Sequence, residues 1–207
     1  MATSTFVQVT QGGATKLHTV TEVIGPDTVH REVHLDAEAY LATYAVTIAS
    51  PSVATANDHV MQIMAGSSLT VYLRRLRIVQ SGLATTAAIM RWTLLRLTTA
   101  GTGGSAVTPV PHDTTDPASG ATAMTLPTAK GTEGSQLDSV TVQFIQIVPT
   151  SGNGLAPVQY DQTWDWSLRS KMPRIAAGPS NGIALKNLSA IAGASVVVHA
   201  VFSEANF

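Results

Sequence analysis

Two long strand-forming runs lie close together in the middle of the chain. The first extends over Leu69–Val79 and the second over Ala88–Leu97, and both are rich in leucine, aromatic and β-branched residues. A short loop containing Gly82 separates them. Runs of this composition joined by a short glycine-containing loop are typical of a β-hairpin. The sequence therefore predicts that the fold is organised around a hairpin over residues 69–97.

The first of these runs does not keep a constant alternation. Leu69, Val71 and Leu73 fall on one face of a strand, whereas Leu76 and Ile78 fall on the other. A regular strand with one buried face cannot do this, because its side chains alternate with a period of two. We expect either a β-bulge near Arg74 and Arg75 or a passage from one buried environment to another.

The remaining chain adds further strand-like runs and shows no segment of helical period. About eight strands after residue 58 predict an all-β fold, a jelly-roll-like antiparallel β-sandwich over residues 58–207. Residues 1–57 contain only short apolar pieces, and we interpret them as an extended N-terminal arm with short strands. Such an arm packs either on a neighbouring subunit or around its own domain.

The chain is poor in charge. Charged residues make up 12% of it, against roughly 25% in an average soluble domain. A neutral surface is more easily buried against another chain, because little charge has to be desolvated. The net charge of −1 gives no bulk attraction to nucleic acid or to an anionic membrane. We therefore expect a protein that works in an assembly, with no direct nucleic-acid or membrane partner.

Several function classes are disfavoured by what the sequence lacks. There is no cysteine, which excludes disulfides, zinc thiolate sites and thiol catalysis. Neither a signal peptide at the N-terminus nor a membrane-spanning apolar run is apparent, which predicts a soluble protein made in a cytoplasm. No G-x-S-x-G motif occurs, and the glycines at 101–104 lack the Lys-Ser/Thr of a phosphate loop. We expect no enzyme, no cofactor, no metal and no catalytic residues.

Two groups of residues are candidates for subunit contacts. The first is the set of apolar residues in the arm: Phe6, Val7, Val9, Val23 and Ile24. The second is the set of arginines in the predicted hairpin: Arg74, Arg75, Arg77, Arg91 and Arg96. These arginines could form a basic stripe for phosphate, nucleic acid or an acidic partner surface. Pairing with acidic residues across strands or subunits is favoured, because the overall charge is not basic.

The segment His112–Asp116 carries imidazole and carboxylate groups close together. These groups could hold a divalent cation. They could equally form Asx-turns with their own backbone, which we favour because one His-Asp pair with one further Asp is a weak metal signal.

Asp161 and Asp165 lie on one side of a predicted strand that also carries Trp164 and Trp166. Paired carboxylates beside aromatic rings could bind or cleave a sugar, although aromatic strands more often anchor a core or a subunit contact. His199, in a valine-rich strand, is interpreted as a core or interface histidine rather than a ligand.

The stretch from Ser68 to Asp116 carries a resemblance to a known group. It contains LTVYLRRLRI, then RWTLLRLTTAGTGG, then VTPVPHDTTDP. This stretch resembles small virion structural proteins of tailed bacteriophages. The resemblance covers about a quarter of the chain. It implies a jelly-roll-like capsid decoration or cement protein, often a homotrimer at its lattice sites, and no catalytic residues.

The resemblance places the protein in the virion, assembled in the host cytoplasm, with the major capsid protein or another virion protein as partner. An alternative function is a head-fibre or tail appendage that binds host surface glycans through Trp164, Trp166 and the long loop after Leu97. A third is a cupin-like or glycan-cleaving enzyme, against which the lack of a close two-His-plus-carboxylate cluster counts.

Overall fold

The fold was examined in a computed structural model of the chain. The structure describes residues 3–8, 16–24, 27–32, 41–49, 51–82, 88–138, 141–145, 161–166 and 172–205. Every regular element among these residues is a β-strand, and every strand pairing is antiparallel. The all-β prediction is therefore confirmed for the part of the chain that is described.

Residues Met1–Leu41 form a compact unit of their own. It contains β1 (Thr3–Gln8), β2 (Lys16–Ile24) and β3 (Asp27–Glu32), paired in the order β1-β2-β3. β2 ends directly before Gly25-Pro26, where the sequence predicts a turn. The described strands of this unit form one three-stranded layer.

The second unit, Ala42–Phe207, is the body. Its strands are β4 (Thr43–Ile48), β5 (His59–Met64), β6 (Thr70–Gly82), β7 (Ala88–Leu97), β8 (Ser105–Val107), β9 (Val110–Pro111), β10 (Thr122–Thr125), β11 (Glu133–Gln136), β12 (Thr141–Ile145), β13 (Asp161–Asp165), β14 (Arg174–Ile175), β15 (Gly182–Asn187) and β16 (Ser195–Ala205).

These strands form two antiparallel sheets. The six-stranded sheet has the order β13-β6-β16-β4-β9, with β14 also paired to β6. The seven-stranded sheet has the order β11-β7-β15-β5-β10-β8, with β12 also paired to β7. β4 pairs along its whole length with β16, so the body begins before the boundary at residue 57 that the sequence suggested.

One hydrophobic core lies between the two sheets. The six-stranded sheet contributes Tyr44, Leu76 and Phe202, and the seven-stranded sheet contributes Ile63 and Trp92, all fully buried. The rings of Tyr44 and Phe202 stack with their centroids 5.7 Å apart. Because the strands of both sheets direct side chains toward the space between the sheets, the two sheets can share one continuous apolar layer.

The predicted hairpin over residues 69–97 is wrong. β6 pairs with β16, β13 and β14, whereas β7 pairs with β15, β11 and β12, so the two runs lie in different sheets. Both runs are strands, as predicted. The hairpin prediction rested on local sequence, whereas each run has its hydrogen-bonded neighbours elsewhere in the chain.

The predicted bulge is confirmed. Arg75 lies opposite Val201 and Leu73 lies opposite Phe202, so Arg74 is the extra residue of a β-bulge. The bulge lets both Leu73 and Leu76 reach the core, and both are fully buried.

The long connection after β7 is held to the body by two buried polar side chains. Gln62 accepts a hydrogen bond from the amide of Gly101 (3.0 Å) and donates one to its carbonyl (3.3 Å). Glu204, near the end of β16, accepts hydrogen bonds from the hydroxyl of Ser119 (2.6 Å) and from the amides of Gly120 (3.1 Å) and Ala121 (2.9 Å). Loop backbone therefore finds its partners on the sheets, as buried amides must.

Candidate functional site

The five arginines do not form one stripe. Arg74, Arg75 and Arg77 belong to the six-stranded sheet, whereas Arg91 and Arg96 belong to the seven-stranded sheet. The basic-stripe interpretation is wrong, because it depended on the hairpin.

Each arginine has its own surroundings, and the partners differ. The Nε of Arg74 donates to the hydroxyl of Ser203, and Nη1 of Arg96 donates to the carbonyl of Arg174 at 2.8 Å. Arg75 and Arg91 are exposed on opposite sheets. The expected cross-strand pairing with an acidic residue is confirmed for Arg77, whose partner is Asp161 on β13.

The Arg77–Asp161 pair is bidentate. Nη2 of Arg77 lies 2.6 Å from Oδ2 of Asp161, and Nε lies 3.0 Å from Oδ1. The hydrogen bonds from Arg77 lower the pKa of Asp161 below its ordinary value. Both side chains are about half exposed, at 51% and 43%. Such a fork-to-fork pair fixes the direction of both groups even where it adds little stability.

This pair lies at one side of an open groove on the outer face of the six-stranded sheet. The groove has a volume of about 440 Å³, and its centre is lined by Arg75, Arg77 and His199. Thr47 and Thr163 lie at its two sides. We call this feature the outer groove.

His199 lies on the partly exposed face of β16 and not in the core. Burial lowers its pKa, and the positive charges of Arg75, His112 and Arg77 lower it further. The outer groove therefore brings the guanidinium groups of Arg75 and Arg77 close to His199, with the carboxylate of Asp161 at its side.

The two tryptophans of the predicted aromatic strand pack against the core and are partly buried. Asp161 and Asp165 are exposed on the opposite face of β13, as predicted from their spacing. Trp166 also lines an open cleft of about 660 Å³ together with Arg96, Arg174 and four apolar residues: Leu137, Met172, Pro173 and Ala176.

The segment His112–Asp116 forms the Asx-turn that we favoured. Oδ1 of Asp113 accepts hydrogen bonds from the amide of Thr115 at 2.9 Å and from its hydroxyl at 2.8 Å. These bonds lower the pKa of Asp113. Within the described ranges, no group of three or more His, Asp or Glu side chains is placed to hold a metal ion.

Sequence reasoning missed a buried polar cluster. His59 is fully buried, and its Nε2 lies 3.0 Å from Oε1 of Glu133, which also binds Nζ of Lys186 at 2.9 Å. Nδ1 of His59 has no hydrogen-bond partner among the described residues. Burial lowers the pKa of His59 and outweighs the opposing effect of Glu133. Because a carboxylate oxygen only accepts, Nε2 of His59 donates to Glu133, and the cluster joins three strands, β5, β11 and β15.

Four of the arm candidates fall on described strands. Phe6 and Val7 lie on β1, where Val7 is opposite Leu17, and Val23 and Ile24 end β2. Val9 lies outside the described residues.

Comparison of the chain with models of protein families, with curated proteins and with solved structures finds no match. No helix long and apolar enough to cross a membrane occurs in the described part of the chain.

Proposed function

We propose that this chain is a structural protein of a bacteriophage virion, a capsid decoration or cement protein that stabilises the head by bridging subunits. The resemblance of residues 68–116 to virion proteins supports this assignment. The low charged fraction of 12% supports it as well, because a weakly charged surface costs little to bury.

Strand pairing in the body supports a jelly-roll topology for the proposed protein. β4 pairs with β16 and β5 pairs with β15, so the first two body strands pair with the last two. β6 then pairs with β13, and β7 with β12. These pairings are compatible with one long hairpin rolled into two sheets, the jelly-roll arrangement that recurs in viral capsid and lectin domains.

The observation that carries the proposal is the single layer formed by β1, β2 and β3. A sheet needs a second layer to bury an apolar face, and this unit contains none among its described residues. In the proposed assembly the N-terminal unit acts as an arm that rests on a neighbouring subunit. Phe6, Val7, Val9, Val23 and Ile24 are its proposed contact residues.

The mechanism is passive. Obligate interfaces of this kind bury more than about 2,000 Å² each, and many of them around a shell act together through avidity. Arg74, Arg75, Arg77, Arg91 and Arg96 are the proposed polar anchors. The proposed partners are further copies of this chain, with a trimer favoured, and the major capsid protein or another virion protein. No nucleic acid, membrane, metal or cofactor takes part.

Removal of the N-terminal unit tests the proposal. The full chain and a variant lacking residues 1–41 are compared by native mass spectrometry, with circular dichroism to verify that the body is folded. We expect an oligomer for the full chain and a folded monomer for the deletion variant. If both have the same number of subunits, the arm does not bridge subunits and the proposal is wrong.

A second candidate function is glycan binding by a head-fibre or tail appendage. The specific observation that favours it is the cleft beside Trp166, where an aromatic ring and the guanidinium groups of Arg96 and Arg174 face one open space. Sugar rings stack on such aromatic faces, and arginines donate to sugar oxygens. Glycan-array binding that disappears in Trp166→Ala would support this function, and an array without any bound glycan would contradict it.

A further inference from the structure

The outer groove collects hydrogen-bond donors in one row across four strands. Thr163 on β13 lies opposite Arg77 on β6, Arg77 lies opposite His199 on β16, and His199 lies opposite Thr47 on β4. All four residues lie on the exposed or partly exposed face of the sheet. Since neighbouring strands lie about 4.8 Å apart, the row spans about 14 Å. The row is therefore longer than a single small polar group of a ligand, and its donors can contact several such groups at once.

Beside the centre of this row lies a second guanidinium, which is available to a ligand. Arg75 lies two residues before Arg77 on the same face and is exposed. It makes no hydrogen bond or ion pair with any residue that the structure describes. Arg77, by contrast, directs Nε and Nη2 toward Asp161. One cation is thus uncommitted, and the other is held in position by its carboxylate.

Among the described residues that line the groove or lie next to it, the acidic ones are on one side. Asp161 lines it from the edge strand β13, and Asp165 follows on the same face of that strand, opposite Arg75. Burial lowers the pKa of His199 in the middle, and the charges of Arg75, Arg77 and His112, from the segment after β9, lower it further. The groove therefore presents cations at its centre, carboxylate acceptors at one side and hydroxyls at two sides.

We propose that the outer groove is a binding site for an acidic sugar. Its carboxylate would lie against Arg75 and His199, and its hydroxyl groups would donate to Asp161 and exchange hydrogen bonds with Thr47 and Thr163. Arginine recognises carboxylates with charge-assisted hydrogen bonds. A volume of about 440 Å³ is within the range of small-molecule sites, roughly 300–1,000 Å³. This site is separate from the cleft beside Trp166, and it does not depend on the assembly role.

A nucleic acid fits this groove less well. Backbone binding requires several cations that each neutralise a phosphate. Arg75 is one uncommitted guanidinium, and two carboxylates stand on the edge strand beside it. A ligand with one negative charge and several hydroxyl groups matches this mixture of charges better.

Binding of three small probes to the full chain tests the proposal. Glucuronate offers the carboxylate with hydroxyls, glucose offers the hydroxyls without the carboxylate, and acetate offers the carboxylate alone. Affinities and the His199 ring signals are followed by NMR titration. We expect glucuronate to bind more tightly than either other probe, and to move the titration of His199 to higher pH, because a bound anion offsets the surrounding positive charge.

Arg75→Gln should weaken glucuronate binding about tenfold or more, since it removes a charge-assisted hydrogen bond. Arg91→Gln is the matched control, because Arg91 is equally exposed on the other sheet. The proposal is overturned if glucuronate does not bind, if acetate or glucose binds as tightly, or if the two variants weaken binding equally. Inorganic phosphate binding as tightly as glucuronate would also overturn it, since the site would then be a general anion site. None of these outcomes alters the mass measurement that tests the assembly role.

Discussion

Replacement of the buried Glu204 by glutamine should destabilise the body by about 2 kcal/mol. The side chain is 4% exposed and accepts hydrogen bonds from Ser119, Gly120 and Ala121. Glutamine has the same shape, but its amide offers only one acceptor atom. The oxygen can still serve Ser119 and Ala121, which share Oε1 in the native carboxylate, whereas the nitrogen would face the amide of Gly120.

The magnitude follows from these contacts. Hydrogen bonds to a charged group contribute about 1.5–3 kcal/mol and neutral ones about 0.5–1.5, so the two retained bonds weaken by about 1 kcal/mol each. The bond to Gly120 is lost at a further cost of about 1 kcal/mol, because this exposed amide can turn to water. Relief from burying a charge offsets part of this loss, about 1 kcal/mol.

Urea denaturation provides the measurement. We expect m, the dependence of the unfolding free energy on urea concentration, to be unchanged, so that a shift of the midpoint reports a change in stability. For a domain of this size, about 2 kcal/mol corresponds to a melting temperature lower by about 4–8 °C. Ser119→Ala removes a donor to the carboxylate and an acceptor for the Ala121 amide, and should cost about 1.5–3 kcal/mol. Hydrogen exchange at the Ala121 amide should accelerate in Glu204→Gln. A change below about 0.5 kcal/mol with unchanged exchange would refute the role assigned to Glu204.

Three further predictions concern other parts of the body. Gly66→Ala should destabilise the body by about 1–3 kcal/mol, because the new methyl carbon would lie 2.6 Å from the carbonyl oxygen of Gly120. Gly134→Ala is the control: its new methyl carbon would have its nearest contact at 3.4 Å, and stability in the same denaturation assay should change by no more than about 0.5 kcal/mol. Equal effects of the two glycine variants would contradict this packing. Asp161→Asn should change stability by no more than about 1 kcal/mol, since its pair with Arg77 is half exposed, and a larger loss by calorimetry would show that the pair is structural. The pKa of His59 in the folded chain is lowered from 6.5, so the unfolded chain takes up this proton at a higher pH than the folded chain. Stability should therefore fall as the pH drops below about 6.5, by at most about 1.4 kcal/mol per pH unit, until the folded-state pKa is reached. His59→Gln should flatten this dependence in denaturation curves taken at a series of pH values, and an unchanged slope would contradict the assignment.

The sequence predicts the strands of the body better than their partners. The runs around Leu73 and Leu94 are strands because their composition is local information, and the bulge at Arg74 is readable because it breaks a period of two. Their pairing is not local. A short loop suggests a hairpin, yet the two runs lie in different sheets, and only the full set of strand pairings shows which strands meet.

The candidate sites likewise divide into those formed by residues close in sequence, which can be predicted, and those formed by distant residues, which cannot. The Asx-turn of Asp113 depends on a residue two positions away, so its signal is visible in the sequence. The contact between His59 and Glu133 joins residues 74 positions apart, and that between Gly120 and Glu204 joins residues 84 apart. Nothing in the neighbourhood of either residue indicates such a partner. The outer groove was likewise hidden, because its arginines and its histidine come from strands that only the fold brings together.

The central claim, that the chain is built to be part of a particle, is tested most directly by counting it in purified virions. Under the proposal a phage genome encodes the chain; particles of that phage would be purified, and the chain of 21.6 kDa would be quantified against the major capsid protein by mass spectrometry. We predict many copies per particle, in a fixed ratio to the capsid protein. Purified particles without the chain, and recovery of the chain only as a free monomer, would contradict the claim.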